Sequence, residues 1–247
     1  MYLRMPKKLH LELTDKCNAK CPMCTRTDPH GLGDSHLVKN IELSIDDIRN
    51  AFKPEFERVN YCGNHGDPVI AKDFIEIAKY FEGSYQTIHT NGSLRTKQFW
   101  KELASIKNIE VTFGIDGSTQ EIHEMYRRAT NLDKILENAK AFIDAGGRAI
   151  WQMIIFKHNE NDVENAKKLS QEYGFAEFES LHTRRFYLED KFEYTYKDKP
   201  YMLEKAISSP FEQLNPNKHY EYTINCQAKK DEEIYISADG QDRKSVV

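Results

Sequence analysis

The sequence has no long run of apolar residues. None of its 247 residues belongs to an apolar stretch of about 18 residues, the length that a membrane-spanning helix requires. The N-terminal segment MYLRMPKKLHLEL also lacks the apolar core of a secretory signal peptide. We therefore expect a cytoplasmic protein that has no membrane partner.

The sequence also has no excess of basic residues. Its 35 lysines and arginines are outnumbered by 39 aspartates and glutamates, which leaves a net charge of −4 with histidine neutral. Nucleic-acid-binding domains usually carry a positive balance, so we expect no nucleic-acid partner. Hydrophobic residues make up 39% and aromatic residues 11% of the chain, which indicates a folded core and excludes bulk disorder.

Cysteine is scarce, and its spacing is uneven. The chain has five cysteines, and an odd number without a secretion signal argues against a disulfide framework. Cys17, Cys21 and Cys24 follow one another with the spacing C-x3-C-x2-C, whereas Cys62 and Cys226 are isolated. Clustered thiols in a reducing compartment indicate metal or redox chemistry.

Strand-like and helix-like segments alternate along most of the chain. Six such units in succession predict an α/β fold with a parallel sheet and right-handed crossovers. Their number favours a partial (β/α)6 TIM-like barrel over an open doubly wound sheet. Strands are predicted at residues 8–13, 58–62, 85–89, 109–115, 148–156 and 176–181. Helices are predicted from residue 44 onwards and at 73–81, 96–106, 119–145 (one long or two shorter helices) and 161–173.

Unusual residues occur where the predicted strands end. The three clustered cysteines follow the first strand, Gly63–Pro68 follows the second, Thr90–Gly92 the third and Asp116–Gly117 the fourth. The carboxyl ends of parallel strands share one rim, where such folds carry their functional residues. We therefore expect a single site built from four turns.

The sequence changes character at residue 186. The tail is rich in Tyr, Lys, Glu and Asp, contains Pro200, Pro210 and Pro216, and has little periodicity. The segment EEIYISADG predicts a strand that ends in a turn. We therefore divide the chain into a core domain, residues 1–185, and a short irregular C-terminal extension, residues 186–247, which we interpret as part of a second module.

Two kinds of metal centre fit the clustered thiolates on spacing alone. A structural zinc ion prefers four ligands and would require Cys62 or one of the histidines His30, His36 and His65. An iron–sulfur cluster accepts three thiolates and leaves one iron open to another ligand. The spacing favours the cluster and leaves zinc as an alternative.

The segment CNAKCPMC, Cys17–Cys24, resembles the cluster loop of radical S-adenosylmethionine (SAM) enzymes, especially the branch with SPASM or twitch C-terminal modules. The order of the motifs extends the resemblance over residues 8–183. It implies a partial (β/α)6 barrel in which the three cysteines hold a [4Fe–4S] cluster and SAM binds the fourth iron. The tail segment NCQAKKDEEIYISADGQ resembles the start of a SPASM or twitch module, but Cys226 stands alone there. We therefore expect a truncated or atypical module and no auxiliary cluster in this chain.

The resemblance also assigns residues to SAM. YCGNHGDP is similar to the GGEP-type turn after the second strand, whose backbone receives the SAM amine; Gly66 permits close approach and Asp67 replaces the usual Glu. HTNGSL is similar to the TNG turn after the third strand, which implies that Thr90 and Asn91 face the site.

Two further motifs complete the predicted SAM site. FGIDG is similar to the SIDG-type end of the fourth strand, which implies that Asp116 reaches the ribose hydroxyls or a substrate. In the helical segment after it, Arg127 is the favoured partner of the SAM carboxylate, with Arg128 as the alternative, because a guanidinium suits bidentate contact. Gln152 on the fifth strand is expected to point into the barrel near the ligand.

The resemblance implies an oxidoreductase-type radical SAM enzyme. In that family a reduced [4Fe–4S] cluster cleaves SAM to methionine and a 5′-deoxyadenosyl radical, which abstracts hydrogen from a substrate. The electron is expected from an external low-potential donor, flavodoxin or ferredoxin. The substrate is left open between a peptide or protein and a small molecule. The alternative is a non-catalytic iron–sulfur or zinc-binding scaffold on the same fold.

Overall fold

Seven parallel strands form the central sheet of the computed structural model, which describes residues 6–212, 230 and 232–241. The strands of the described chain are β1 (Lys8–Leu11), β2 (Arg58–Tyr61), β3 (Tyr85–Thr90), β4 (Ile109–Gly114), β5 (Arg148–Ile155), β6 (Glu177–His182), β7 (Lys191–Tyr196), β8 (Lys199–Glu204) and β9 (Glu233–Ile236). The order across the sheet is β6-β5-β4-β3-β2-β1-β9, while β7 and β8 form a separate antiparallel hairpin. The predicted α/β fold with a partial TIM-like barrel is therefore confirmed.

Helices connect the first six strands as the sequence predicts. The segment 119–145 contains two helices rather than one, and Ala129 between them has a positive φ of 62°. None of the described helices has the length and apolarity needed to cross a membrane. The helices are α1 (Ile45–Ala51), α2 (Phe74–Tyr80), α3 (Lys97–Ala104), α4 (Gln120–Glu124), α5 (Leu132–Asp144) and α6 (Val163–Tyr173).

Local capping explains where several helices begin and end. Ser44 precedes α1 and forms a capping box with Asp47, in which each side chain accepts a hydrogen bond from the other residue's backbone. Thr96 caps α3 through Phe99 N. Gly174 ends α6 in the left-handed conformation, with a φ of 86°. These signals are readable in the sequence, so the helix boundaries agree with the predicted ones to within a few residues.

The two faces of the sheet differ in polarity. Alternate residues such as Leu9, Val59 and Ile88 are fully buried and pack in one core with helix residues, including Trp100 of α3. The opposite face is polar and partly exposed, and the strand register aligns four of its residues across neighbouring strands. These residues are His10, Asn60, Thr87 and Glu110. The helices therefore cover one side of the sheet, and the inner side of the partial barrel stays open.

The C-terminal extension contributes to the core sheet. The predicted strand within residues 232–240 is present as β9, and it pairs in parallel with β1, with Leu9 opposite Ile234. β9 is therefore an edge strand of the barrel sheet itself. The domain boundary at residue 185 stays a prediction, and Cys226 lies outside the described residues.

Candidate active site

The cysteine loop (residues 17–24) lies where the turns after several strands meet. It contacts the β2 turn (residues 63–68), the β3 turn (residues 90–93) and the turn between α4 and α5. These three segments are far apart in the sequence. The contacts are Cys24 Sγ with the Asn64 carbonyl at 4.0 Å, Asn18 Nδ2 donating to Ser93 Oγ at 2.8 Å, and Lys20 N donating to the Arg128 carbonyl at 2.9 Å. The structure therefore brings the predicted motifs to one rim.

Cys17, Cys21 and Cys24 are free thiols in different environments. Cys21 is buried, whereas Cys17 and Cys24 are partly exposed. Burial, followed by the negative charge of Asp67 and the neighbouring Cys21, raises the pKa of Cys17. Burial also raises the pKa of Cys21 to about 11, against the lowering effect of Arg127. A metal centre would stabilise the thiolates that this environment disfavours.

The donor set fits an iron–sulfur cluster better than a single zinc ion. Within residues 6–212, 230 and 232–241, no three side chains of His, Cys, Asp or Glu lie close enough together to hold one metal ion. A structural zinc ion prefers four ligands, and the cysteine loop itself supplies only three. In a [4Fe–4S] cluster each thiolate binds its own iron, and three soft thiols on one short loop suit that arrangement.

Gly66 allows the β2 turn to pack against the backbone segment between β1 and the cysteine loop. A Cβ at this position would lie 1.7 Å from the carbonyl oxygen of Thr14 and 3.0 Å from the Cα of Asp15. Any side chain would therefore force the two backbone segments apart. The close approach at Gly66 is to the protein's own backbone, and the approach of this turn to the SAM amine stays a prediction.

Asp67 joins the β2 turn to the β3 turn. Its buried carboxylate accepts hydrogen bonds from Thr90 Oγ1 at 2.8 and 2.9 Å, from Asn91 N at 2.7 Å and from Asn91 Nδ2 at 2.6 Å. Burial raises the pKa of Asp67, while these donors act in the opposite direction. The carboxylate is occupied by protein donors, so this side chain orients Thr90 and Asn91.

Asn91 links the β3 turn to the cysteine loop. Besides its bond to Asp67, its Nδ2 donates to Asn18 Oδ1 at 3.0 Å and lies 3.7 Å from Cys17 Sγ as a hydrogen-bond donor. Its Oδ1 accepts from Ser93 N at 3.0 Å and from Ser93 Oγ at 2.6 Å. One amide therefore fixes the loop and the turn relative to each other.

Asp116 and Arg127 form a buried ion pair beside Cys21. Arg127 Nε donates to Asp116 Oδ2 at 2.6 Å, and the Asp116 side chain is fully buried. The other carboxylate oxygen, Oδ1, accepts from Ile154 N at 2.7 Å. Burial alone would lower the pKa of Arg127, but the charges of Asp116 and Cys21 more than offset it and raise that pKa. Arg127 is therefore a fixed positive charge, and both oxygens of Asp116 have protein donors.

The neighbouring Arg128 contacts the β7–β8 hairpin. It donates from Nε and Nη2 to Tyr194 Oη at 3.0 and 2.7 Å, and its guanidinium carbon lies 4.1 Å from the ring centre of Tyr201. Only 4% of Arg128 is exposed. Of the two arginines that the sequence leaves open, Arg128 holds the hairpin, whereas Arg127 lies beside Cys21.

Gln152 lies on β5 in register with Gly114 of β4 and Glu179 of β6. It is partly exposed, and its Nε2 donates to Glu179 Oε2 at 2.9 Å. The predicted inward direction fits this register, because in-register residues of a parallel sheet point to the same face. Its side-chain partner is a protein carboxylate on the next strand.

Two residues that support the β3 turn carry no signal in the sequence. Asn138 of α5 donates from Nδ2 to the carbonyls of Gly92 and Leu94, at 2.8 and 2.9 Å. Arg95 donates to three carbonyls that directly follow the β2 turn. These bonds join Arg95 to Val69 O at 2.6 Å, Ile70 O at 3.0 Å and Ala71 O at 2.7 Å.

Two buried side chains also hold the backbone at the end of β4. His123 is fully buried, and its Nδ1 accepts a hydrogen bond from the backbone N of Asp116 at 3.1 Å. Asn159, also fully buried, donates from Nδ2 to the Asp116 carbonyl at 3.0 Å. Both side chains hold the backbone of Asp116. Neither is identified from the sequence, because a single histidine or asparagine in a helical or loop segment fits many roles.

Comparison with known proteins agrees with this site. The family model described as the radical SAM superfamily matches residues 11–169, a range that contains the three cysteines and all four turns. The chain belongs to the radical SAM superfamily, whose cofactors are a [4Fe–4S] cluster and SAM.

Three individual proteins are similar to parts of this chain. The tungsten-containing aldehyde ferredoxin oxidoreductase cofactor-modifying protein of Pyrococcus furiosus is 33% identical over 115 residues, 44% of this chain and 31% of that protein. The mycofactocin maturase MftC of Mycobacterium ulcerans is 26% identical over 183 residues, 70% of this chain and 46% of that protein. The crystal structure of SuiB from Streptococcus suis aligns with a TM-score of 0.67 and 15% identity, over 98% of this chain and 60% of SuiB.

These similarities support different conclusions about the chain. The likeness to SuiB shows the fold alone, because its sequence identity is low. The aligned regions span less than half of the two curated relatives, so their activities do not transfer to this chain as findings. Other crystal structures contain SuiB bound to SAM or to its precursor peptide SuiA.

Proposed function

We propose that this chain is the catalytic core of a radical SAM enzyme, in which Cys17, Cys21 and Cys24 hold a [4Fe–4S] cluster. The observation that carries the proposal is the meeting of the cysteine loop with the β2 and β3 turns at one rim. Family membership supports it, since residues 11–169 match the superfamily model. The cluster and SAM, when bound, supply reductive cleavage of SAM and hydrogen abstraction by the resulting radical.

The chain's own residues bind and orient in this proposal. Backbone carbonyls of the β2 turn around Gly66 accept hydrogen bonds from the SAM amine. Arg127 binds the SAM carboxylate through guanidinium nitrogens other than Nε, because Nε already donates to Asp116. Gln152 lies on the open inner face and binds the ligand or the substrate.

We assign Asp67 and Asp116 to orientation rather than to direct contact with SAM. Asp67 fixes Thr90 and Asn91, and Asn91 in turn donates towards Cys17. Asp116 fixes Arg127 through a buried ion pair. Their oxygens already have protein donors, so neither carboxylate needs a ligand to satisfy its hydrogen bonding.

The substrate, the electron donor and the cellular location belong to the same proposal. The substrate is a peptide or protein, or a small molecule, that reaches the open inner face of the sheet. Binding of SuiB to a precursor peptide supports the peptide class. Flavodoxin or ferredoxin in the cytoplasm supplies the electron. The C-terminal extension is related to a SPASM or twitch module, and it adds β9 to the edge of the core sheet.

The test is anaerobic reconstitution followed by assay with SAM and dithionite. We expect about four irons per chain, a spectral change of the reduced cluster on addition of SAM, and release of 5′-deoxyadenosine. The variant Cys21→Ala should lose the cluster, whereas the control Cys62→Ala should keep it. A fully loaded cluster that neither responds to SAM nor releases deoxyadenosine would support the non-catalytic scaffold instead.

A further inference from the structure

Arg26 is a buried cation that follows the cysteine loop by two residues. Only 4% of the residue is exposed. Its side chain extends back to the loop, where Nη1 lies 3.5 Å from the carbonyl oxygen of Ala19, between Cys17 and Cys21 in the sequence. The backbone around Arg26 is also fixed, because Ser35 N donates to its carbonyl at 2.7 Å and Thr27 bridges to Asp34. The guanidinium is therefore held against the segment that carries the thiols.

One donor of this guanidinium has no acceptor. Within the described part of the chain, Arg26 Nε is buried and makes no hydrogen bond, although Nη1 and Nη2 have partners. A buried charged donor without an acceptor costs more free energy than a neutral one. Buried polar groups are nearly always satisfied, so an exception beside a cofactor loop indicates an acceptor that the polypeptide itself does not supply.

The positive charge of Arg26 is only partly balanced by the protein. Asp34 Oδ1 forms an ion pair with Nη2 at 3.1 Å, but 46% of the Asp34 side chain is exposed to solvent, compared with 5% of the Arg26 side chain. Solvent screens the exposed carboxylate more strongly than the buried guanidinium. Nη1 contacts the carbonyl of Ala19, which is two residues from both Cys17 and Cys21, so the charge lies beside the loop that carries the thiols.

We propose that Arg26 sets the reduction potential of the cluster, with its Nε donating to a cluster sulfur atom. The inference rests on the proposed function, because it assumes that Cys17, Cys21 and Cys24 hold a [4Fe–4S] cluster. Arg26 acts on the electron-transfer step and does not touch SAM or the substrate.

Charge balance gives the direction of the effect. Reduction transfers one electron from the low-potential donor to the cluster, which gains one negative charge without forming or breaking a bond. A fixed positive charge nearby stabilises the reduced cluster more than the oxidised one. Hydrogen bonds to cluster sulfur act in the same direction. Removing Arg26 should therefore lower the midpoint potential and make reduction harder.

The test is an anaerobic redox titration of the loaded protein, followed by the electron paramagnetic resonance of the reduced cluster. Arg26→Gln should shift the reduction equilibrium at least tenfold towards the oxidised form, which is about 59 mV for one electron. Arg26→Lys keeps the charge but removes Nε, and it should give a smaller shift in the same direction. Asp34→Asn removes the counter-charge and should give a small shift in the opposite direction.

Controls separate this role from a structural one. Arg49→Gln removes one positive charge from the exposed face of α1 and should leave the potential unchanged. A purely structural role of Arg26 would change cluster content or stability, but it would not give opposite potential shifts in Arg26→Gln and Asp34→Asn. Iron content is measured for each variant, so that only loaded protein is compared.

Each outcome has a defined meaning. Loaded Arg26→Gln protein with the wild-type potential would overturn the inference and leave the proposed function intact. A wild-type protein without iron and sulfide would overturn the proposed function itself. If Arg26→Gln does not load, Arg26→Lys and Asp34→Asn decide, and the absence of opposite shifts in these two variants overturns the inference.

Discussion

Gly114 at the end of β4 leaves the space that the guanidinium of Arg127 fills. A Cβ at position 114 would lie 2.7 Å from Nη2 and 2.9 Å from Cζ of Arg127. A serine at this position, as in the SIDG-type motif that this segment resembles, would displace the arginine. The missing side chain and the buried Asp116–Arg127 pair are therefore parts of one arrangement.

Gly114→Ser should weaken SAM binding because it moves the Arg127 guanidinium. We expect the Kd for SAM to rise about tenfold, which corresponds to about 1.4 kcal/mol. Overpacking should also lower the free energy of unfolding by about 1–3 kcal/mol. Both are measured on cluster-loaded protein, by SAM titration and by denaturant unfolding. The control is Gly83→Ser, because an added Cβ there would meet no atom within 4 Å. Unchanged SAM affinity in Gly114→Ser would contradict the assignment of Arg127.

Arg127→Lys and Arg128→Lys should separate SAM binding from hairpin packing. Lysine keeps the charge at position 127 but loses the planar fork and the bond from Nε to Asp116, so SAM affinity should fall at least tenfold. Arg128→Lys should leave SAM affinity within twofold and instead speed hydrogen exchange in β7 and β8, since it loses both bonds to Tyr194. The opposite pattern would show that Arg128 is the SAM ligand.

The secondary structure was predictable because its signals are local. The periodicity of apolar residues, Ser44 before α1 and Gly174 after α6 each act within one or two turns of the chain. The pairing of β9 with β1 was not predictable in this way. It joins Leu9 to Ile234, and no local pattern specifies a partner so far away in the sequence.

The candidate site likewise has features that local sequence motifs predict and features that only the structure shows. The sequence motifs identified the turns that meet, because each motif is contiguous and lies at a strand end. The structure adds two hydrogen bonds made by helix side chains: Asn138 donates to the β3 turn, and His123 accepts from Asp116 N. The sequence does not predict them, because asparagine and histidine occur in many other roles. The orphaned donor of Arg26 becomes visible only when burial and partners are known for each atom.

Tyr194→Phe should loosen the β7–β8 hairpin above the cysteine loop. The Tyr194 hydroxyl accepts two hydrogen bonds from Arg128 and donates to the Met125 carbonyl at 2.8 Å. Its removal leaves buried guanidinium donors unsatisfied, which should cost about 1–3 kcal/mol. Hydrogen exchange of residues 191–204 measures the local opening.

Tyr201→Phe is the matched control for this variant. It keeps the ring face that lies 4.1 Å from the guanidinium carbon of Arg128, and it should change the exchange rates much less than Tyr194→Phe. An effect of Tyr194→Phe no larger than that of Tyr201→Phe would show that the Tyr194 hydroxyl does not hold the hairpin.

His123 should make the protein less stable in mild acid. Its Nδ1 accepts from Asp116 N and its Nε2 lies 2.9 Å from Thr130 Oγ1, in a fully buried position. Burial, followed by the charge of Arg127, lowers the pKa of His123 to about 3 from the ordinary 6.5. Between these values the unfolded chain binds a proton that the folded chain does not, so stability falls as the pH is lowered below about 6.5.

The size of this effect is measurable by denaturant unfolding at several pH values. At pH values well between the two pKa values, His123 should make the free energy of unfolding change with pH by up to about 1.4 kcal/mol per pH unit. His123→Gln keeps one acceptor and one donor but cannot titrate, so its unfolding free energy should depend less steeply on pH between 6.5 and 5. The exposed His36 provides the control His36→Gln, which should keep the wild-type slope. A His123→Gln variant with the same slope as the wild type would show that His123 binds its proton equally in the folded and unfolded chains, and the neutral acceptor at Asp116 N would then be wrong.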